Sequence, residues 1–149
     1  MNAEQELARI AITDAVRDAE PSSDALAATC RILQGLPGYT GVYLYVLEGE
    51  TLVLKAFHGR VTEHTRIPSG RGICGASVIS KGSVIVADVA SDPRYLACNL
   101  ETKSEIVVPI LRGDTYLAQI DVDSDNPNSF GVDDETFLAD IARMLEPLF

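Results

Sequence analysis

The hydrophobic periodicity of this chain changes twice along its length, and this pattern limits the fold more than any other feature does. In the first segment, Leu7, Ile10 and Ala11 recur at the spacing of one helical face. From Tyr39 onward, apolar and polar residues instead alternate in short runs that turn residues separate, which is typical of β-strands. After Asp133 the helical spacing returns. Helices at both ends of a set of strands predict an α+β fold with an antiparallel sheet.

The individual elements can be placed within this pattern. The first helix ends before Pro21, and a second helix follows it with Leu26, Cys30 and Leu33 on one face. The remaining predicted elements are a hairpin over 42–55, a short helix over Gly72–Ser80, a strand over 84–86, a second hairpin over 106–122 turned at Gly113-Asp114, and a last helix with Phe137 and Ile141 on its apolar face. We expect one domain over residues 1–149, with a central sheet of about five to six strands, the N- and C-terminal helices on one face and two long loops, 58–72 and 88–103, over the other.

Composition and charge exclude several classes of partner. Twelve Lys and Arg against 22 Asp and Glu give a formal net charge of −10 at pH 7. A surface this negative repels nucleic acid and anionic lipid, so we expect neither as a partner. No apolar run approaches the roughly 20 residues of a membrane helix, and the N-terminal segment lacks the apolar block of a signal peptide. We therefore expect a cytoplasmic protein that binds a small molecule and no membrane.

The cysteines pose the main chemical question. Cys30, Cys74 and Cys98 are too few and too far apart for a disulfide-bonded secreted scaffold. No C-x-x-C is present, and His58 and His64 lie away from any cysteine cluster, so structural zinc is disfavoured and no metal site is predicted. Cys30 belongs to the buried face of the second helix, whereas Cys98 lies in a long loop where a thiol is accessible. Each thiol is thus either a core residue or a reactive group.

The segment Gly70–Gly75 (GRGICG) matches the letters of a dinucleotide-binding G-x-G-x-x-G motif. That motif must follow a strand and open a βαβ unit, and the surrounding strands indicate antiparallel pairing instead. We interpret the segment as a tight loop that feeds a short helix, with Cys74 near the positive helix N-terminus, a position that lowers the pKa of a thiol. The alternative is a small buried residue in a glycine-rich turn.

Three acidic residues of the second hairpin are candidates for a site. Asp121 and Asp123 are two residues apart on one strand, so their side chains face the same way, opposite Val122. Pairing with the preceding strand brings Glu105 near both. Crowded carboxylates raise the pKa of one of them, and a protonated carboxyl beside a thiolate forms an acid–nucleophile pair. The alternative is an ordinary solvated strand face. A calcium loop at 121–125 is rejected because the required Gly and Glu are missing.

Together these segments resemble a known family, the GAF domains of the free methionine-(R)-sulfoxide reductase type. The residues that carry the resemblance are Thr65–Pro68 (TRIP), Gly70–Gly75, Cys98 at 24 residues after Cys74, Ser104–Pro109 (SEIVVP) and Ile120–Ser124 (IDVDS). The similarity extends from Tyr39 to the last helix. It implies the GAF fold, a central antiparallel sheet with helices on one side and ligand-covering loops on the other.

The resemblance also implies an activity. In that family the cysteine matching Cys98 is the nucleophile that attacks the sulfoxide sulfur, which releases methionine and leaves a sulfenic acid. A second cysteine resolves this acid as a disulfide, and thioredoxin restores the thiols without any further cofactor. The acids matching Glu105, Asp121 and Asp123 bind the substrate and help to protonate its oxygen. A sulfoxide oxygen is a poor leaving group until it is protonated, which agrees with an acid cluster beside a thiol.

The chain departs from the family pattern at two positions. His64 stands where the main resolving cysteine is usual, and Tyr39 stands where a tryptophan walls the substrate pocket. Resolution then falls to Cys74 or to an external thiol. The alternative function is a non-catalytic GAF domain that senses an amino acid or another metabolite, with His64 as a pocket residue. A third is a scaffold that forms a homodimer through its terminal helices, although the apolar stripe at 137–148 serves a core equally well.

Overall fold

Six strands form one antiparallel sheet in the described part of the computed structural model, which comprises residues 1–18, 22–96 and 100–149. The strands are β1 (Gly41–Glu48), β2 (Thr51–His58), β3 (Arg66–Pro68), β4 (Val84–Val86), β5 (Ser104–Arg112) and β6 (Thr115–Ser124). The helices are α1 (Ala3–Asp18), α2 (Ser22–Gln34), α3 (Gly72–Ser80) and α4 (Val132–Leu145), with 3₁₀ turns at Val89–Ser91 and Glu146–Leu148. The order across the sheet is β3-β2-β1-β6-β5-β4, and each strand pairs antiparallel with its neighbours, as the α+β prediction requires.

Alternation along the strands separates two apolar cores. On β1, Val42 and Leu44 enter the larger core, which α1, α2 and α4 cover. Tyr43 and Tyr45 enter a smaller core on the opposite face, which α3 and the loop after β4 cover. Terminal helices therefore occupy one face and a helix with long connections occupies the other, which confirms the predicted layering. None of the described helices has the length and apolar character needed to cross a membrane.

The predicted buried face of α1 is wrong. Leu7 and Ile10, which were expected to face the core, are 67% and 49% exposed. The helix instead buries Gln5, Ala8 and Ile12. These residues also recur at helical spacing, and the small Ala8 allows α1 to approach its neighbours closely. The periodicity thus indicated a helix correctly but did not decide which of two stripes faces the core.

Two short elements lie inside the predicted loops. The strand β3 pairs with the start of β2, where Ile67 stands opposite Leu52. The 3₁₀ turn at Val89–Ser91 lies in the second loop, where the Asp88 side chain accepts a hydrogen bond from the amide of Ala90. Both elements are too short for a periodic signal, so the sequence pattern alone shows them as loops.

Candidate functional site

A half-buried cavity lies on the sheet face opposite α1, α2 and α4. Tyr45 of β1, the first turn of α3, and Tyr95 and Leu96 from the loop after β4 form much of its wall. The acidic side chains of β5 and β6 complete it, together with His64 and Ile67. The volume in which the centre of a water molecule fits is about 30 Å³. This is room for about two water molecules. The cavity is therefore narrow, and its chemistry is set by a few side chains.

Strand register brings the three predicted acids together in this cavity. Glu105 of β5 stands directly opposite Asp123 of β6, and Asp121 is the next residue of β6 on the same face. All three are buried. The juxtaposition agrees with the prediction, whereas the alternative of a solvated strand face is wrong, because α3 and the loop after β4 cover these side chains.

Burial and mutual repulsion favour the protonated forms of these acids. Burial raises the pKa of Glu105 well above its usual range, and the Asp121 carboxylate raises it further. Burial likewise raises the pKa of Asp123, with Glu105 as the second cause. No lysine or arginine is present among the described residues that line the cavity. The site therefore favours a ligand that supplies a positive charge or takes up a proton.

Cys74 lies in the first turn of α3 and contacts the acid cluster. Its thiol donates a hydrogen bond to Asp121 Oδ2 over 3.4 Å. Burial raises the pKa of this thiol well above its ordinary value, and the nearby carboxylates raise it further. The predicted lowering of the Cys74 pKa is therefore wrong. The positive end of a helix counts for less here than burial and several negative neighbours.

The glycine-rich segment before Cys74 is a tight turn into α3, as predicted. Gly70 and Gly72 adopt φ values of +81° and +68°, which glycine adopts without strain. A Cβ on Gly75 would lie 2.9 Å from the Gly70 nitrogen and from the Pro68 oxygen, so the turn closes on itself. It joins elements of an antiparallel sheet, and this context is unlike that of a dinucleotide-binding turn.

A buried polar network beneath Cys74 was missing from the sequence prediction. Gln119 Nε2 donates to the Cys74 carbonyl at 3.1 Å and to the Tyr116 hydroxyl at 2.9 Å. Ser77 Oγ lies 2.9 Å from the same hydroxyl. These bonds fix α3 on β6. Strand alternation could have indicated Gln119, because it shares a face with Asp121.

His64 lines the cavity, in agreement with its prediction as a pocket residue. Its backbone oxygen accepts a hydrogen bond from the Tyr45 hydroxyl at 2.7 Å, and its amide donates to Thr62 Oγ1 at 3.0 Å. The first bond holds the loop that contains His64 against β1, and the second lies within that loop.

Tyr39, expected to bind substrate, does not line this cavity. Its hydroxyl donates to Asp134 Oδ1 at 2.7 Å, and its ring packs edge-on against Phe130 with centroids 5.5 Å apart. Both contacts place it in the helix-side core. Cys30 is also fully buried there, as predicted, and burial raises its pKa to about 12. The predicted nucleophile Cys98 lies outside the described residues.

The fold and this site define the class of protein. Residues 22–146 match the model of the GAF domain. The chain belongs to the GAF domain family.

The chain is also similar to individual members of this family. The chain is 41% identical over 108 residues to GAF domain-containing protein A of Dictyostelium discoideum, which covers 72% of this chain and 67% of that protein. It is 40% identical over 99 residues to the free methionine-R-sulfoxide reductase of Saccharomyces cerevisiae, over 66% of this chain and 54% of that enzyme. The match thus spans about half the length of the yeast protein. Among solved structures, the free methionine-R-sulfoxide reductase of Neisseria meningitidis in complex with its substrate superposes with a TM-score of 0.90 at 32% identity, covering 100% of this chain and 92% of that chain.

Proposed function

We propose that this chain is an enzyme that reduces free methionine-(R)-sulfoxide to methionine with thiols as the electron donor. The observation that carries the proposal is the buried cluster of Glu105, Asp121 and Asp123 with Cys74 in one cavity. Such a cluster suits the ammonium group of a free amino acid and can supply a proton to a sulfoxide oxygen. The similarity to the yeast and Neisseria proteins, which bear the name of this reaction, supports the same chemistry.

Cys98 is the proposed nucleophile. It is two residues along the chain from Leu96, which lines the cavity. Attack of its sulfur on the sulfoxide sulfur, with protonation of the sulfoxide oxygen by the acid cluster, transfers that oxygen to Cys98. The products are methionine and a Cys98 sulfenic acid, so sulfur of the substrate is reduced and sulfur of the enzyme is oxidised.

A second thiol then closes the cycle. It attacks the sulfenic acid, forms a disulfide with Cys98 and releases water; a thioredoxin-like dithiol reduces that disulfide by exchange. Cys74 and an external thiol are the two candidates. Because burial and neighbouring acids raise the pKa of Cys74, its thiolate is disfavoured, which supports the external thiol and a mixed disulfide. The reaction needs no other cofactor.

Substrate binding requires the cavity to widen, because space for about two water molecules is smaller than an amino acid. Tyr95 and Leu96, like His64 and Gly72, are partly exposed members of its wall, and they lie in the loop after β4 rather than on a strand. We expect the substrate to displace these two side chains rather than the strands beneath.

The second candidate function is a binding module without turnover. The protonated, buried Cys74 favours it, since a GAF domain that lacks a usable resolving thiol can still hold an amino acid against its acids. This module would bind methionine sulfoxide, or a related zwitterion, without consuming it.

Methionine release from racemic free methionine sulfoxide tests the proposal. We expect the wild type to consume only the R epimer with dithiothreitol or thioredoxin, and Cys98→Ser to abolish the reaction. Cys30→Ala is the matched control, because Cys30 is buried in the other core and should leave the activity unchanged. Tight binding without methionine release by the wild type would establish the binding module instead. Loss of turnover with thioredoxin but not with dithiothreitol in Cys74→Ser would identify Cys74 as the resolving thiol.

A further inference from the structure

The acid cluster and Cys74 also have the composition of a metal site. Cys74 Sγ and one carboxylate oxygen from each of Glu105 and Asp121 lie within 4.8 Å of one another, and all three residues are buried. We propose that these three side chains bind a thiophilic divalent cation, with Zn²⁺ as the representative ion. Since the same acids are assigned to the substrate, the ion should inhibit the reductase competitively, a consequence that rests on the proposed function.

The distance between the thiol and its nearest carboxylate fits a shared tetrahedral ion. Zn–S and Zn–O bonds of about 2.3 and 2.0 Å at a tetrahedral angle place the two ligand atoms about 3.5 Å apart. Cys74 Sγ and Asp121 Oδ2 are 3.4 Å apart. A small movement of Glu105 is enough to complete three ligands, because its carboxylate oxygen already lies within 4.8 Å of the other two ligand atoms.

The ligand types select the ion. Hard cations such as Mg²⁺ and Ca²⁺ prefer six or more oxygen ligands, which a narrow cavity with one sulfur does not offer. A mixed set of one thiolate and two carboxylates suits Zn²⁺, and a water molecule can occupy the fourth position. The free volume of about 30 Å³ accommodates an ion and one water.

An independent observation also points to a cation in this cavity. Asp123 lines it with only 9% of its surface exposed, and no N–H or hydroxyl group of the described residues donates a hydrogen bond to its Oδ1 atom; its side chain does contact the carboxyl of Glu105, one of the proposed ligands. A buried carboxylate oxygen without a donor is costly. A metal-bound water would supply the missing hydrogen bond, so Asp123 acts as the acceptor beside the three ligands.

Sequence spacing could not reveal this site. Its ligands come from α3, β5 and β6, so no short motif with metal-ligand spacing connects them. The absence of C-x-x-C and of histidines near the cysteines predicted no metal site, and the proposed site departs from that prediction.

Binding of Zn²⁺ to the chelator-treated protein tests the inference directly. Equilibrium dialysis should show one Zn²⁺ per chain, and Co²⁺ as a substitute should give a thiolate-to-cobalt charge-transfer band. Cys74→Ser should abolish the band, and both Cys74→Ser and Glu105→Gln should weaken Zn²⁺ binding by about tenfold or more. Cys30→Ala is the control that retains the band and the affinity, because Cys30 lies in the core on the other face of the sheet.

Failure of the wild type to bind one equivalent, or an affinity that Cys74→Ser and Glu105→Gln both leave unchanged, would overturn the inference. Loss of the band in Cys98→Ser together with its retention in Cys74→Ser would do the same. The proposed function is tested apart from this by methionine release from the metal-free protein. A protein that binds Zn²⁺ at these residues yet releases no methionine supports the metal site and refutes the reductase.

Discussion

The substitution Gly72→Ala tests how the packing of Leu96 on the start of α3 shapes the cavity. Gly72 has a φ of +68°, and a Cβ there would lie 2.8 Å from Cδ1 and 2.9 Å from Cγ of Leu96. A residue other than glycine at such a φ costs about 1–2 kcal/mol. Moving Leu96 out of its rotamer adds about 0.5–1.5 kcal/mol. We therefore expect the free energy of unfolding to fall by about 1.5–3.5 kcal/mol.

Gly49→Ala is the matched control. Gly49 has a φ of +64° in the turn between β1 and β2, and a Cβ there would meet nothing within 4 Å. Gly49→Ala should therefore lower the free energy of unfolding only through its strained backbone, by about 1–2 kcal/mol. The difference between the two variants, measured by urea denaturation, isolates the contact with Leu96. Leu96→Ala should accordingly cost about 0.5–1.5 kcal/mol less in the Gly72→Ala background than in the wild type.

Two results would refute this reasoning. One is an equal loss of stability in Gly72→Ala and Gly49→Ala; the other is additivity of Gly72→Ala with Leu96→Ala. Because Leu96 lines the cavity, Gly72→Ala should also change KM for methionine sulfoxide, whereas Gly49→Ala should leave it unchanged.

Three further substitutions test individual features of the site. Glu105→Gln, measured with a chelator present, should lower reductase activity and raise the free energy of unfolding at neutral pH. Because the pKa of Glu105 is raised in the folded state, its ionised form destabilises the fold. The increase in the free energy of unfolding of Glu105→Gln over the wild type should therefore vanish below about pH 4 and grow as pH rises. An increase that is constant with pH would contradict this. Tyr39→Phe should lower the free energy of unfolding by about 1 kcal/mol in urea denaturation, because it removes the hydrogen bond to Asp134, and it should leave KM unchanged. An altered KM would instead indicate that Tyr39 contributes to substrate binding. Tyr116→Phe should lower the free energy of unfolding by about 1–3 kcal/mol, because the Tyr116 hydroxyl and Ser77 belong to the network that holds α3 on β6. It should also speed the reaction of Cys74 with a thiol reagent. Unchanged stability and reactivity would show that the network has no such role.

The features of the site that follow from strand geometry could be predicted from the sequence. Side chains on a strand alternate with a period of two, so Asp121 and Asp123 had to share a face. A hairpin with a short turn then placed Glu105 opposite them. Whether that face is buried depends on elements distant in sequence, chiefly α3 and the loop after β4, and the pattern within the strands contains no information about them.

Other features depended on competition between nearly equal alternatives. The helix α1 carries two apolar stripes, and packing chose the one with Ala8 and Ile12. Tyr39 precedes β1, where strand alternation does not yet apply, so Phe130 and Asp134 decided which way it faces. The pKa of Cys74 reversed its predicted direction for a related reason, since a local helix effect competes there with burial that only the tertiary structure creates.

If both proposals hold, the acid cluster and Cys74 decide between the two cations that this cavity would bind, an ammonium group and a metal ion. Ionised acids in a buried space destabilise the fold, whereas a cation that binds only the folded state stabilises it, by about 2.7 kcal/mol when its concentration is 100 times Kd. In the proposed reductase, the ammonium group of the substrate would donate hydrogen bonds to Asp121 and Glu105 and leave the Cys74 thiol protonated, the form that its raised pKa favours. A metal ion requires the thiolate and must displace that proton. Cys74 therefore sets the balance: the more firmly it holds its proton, the more the site prefers an amino acid over a metal ion.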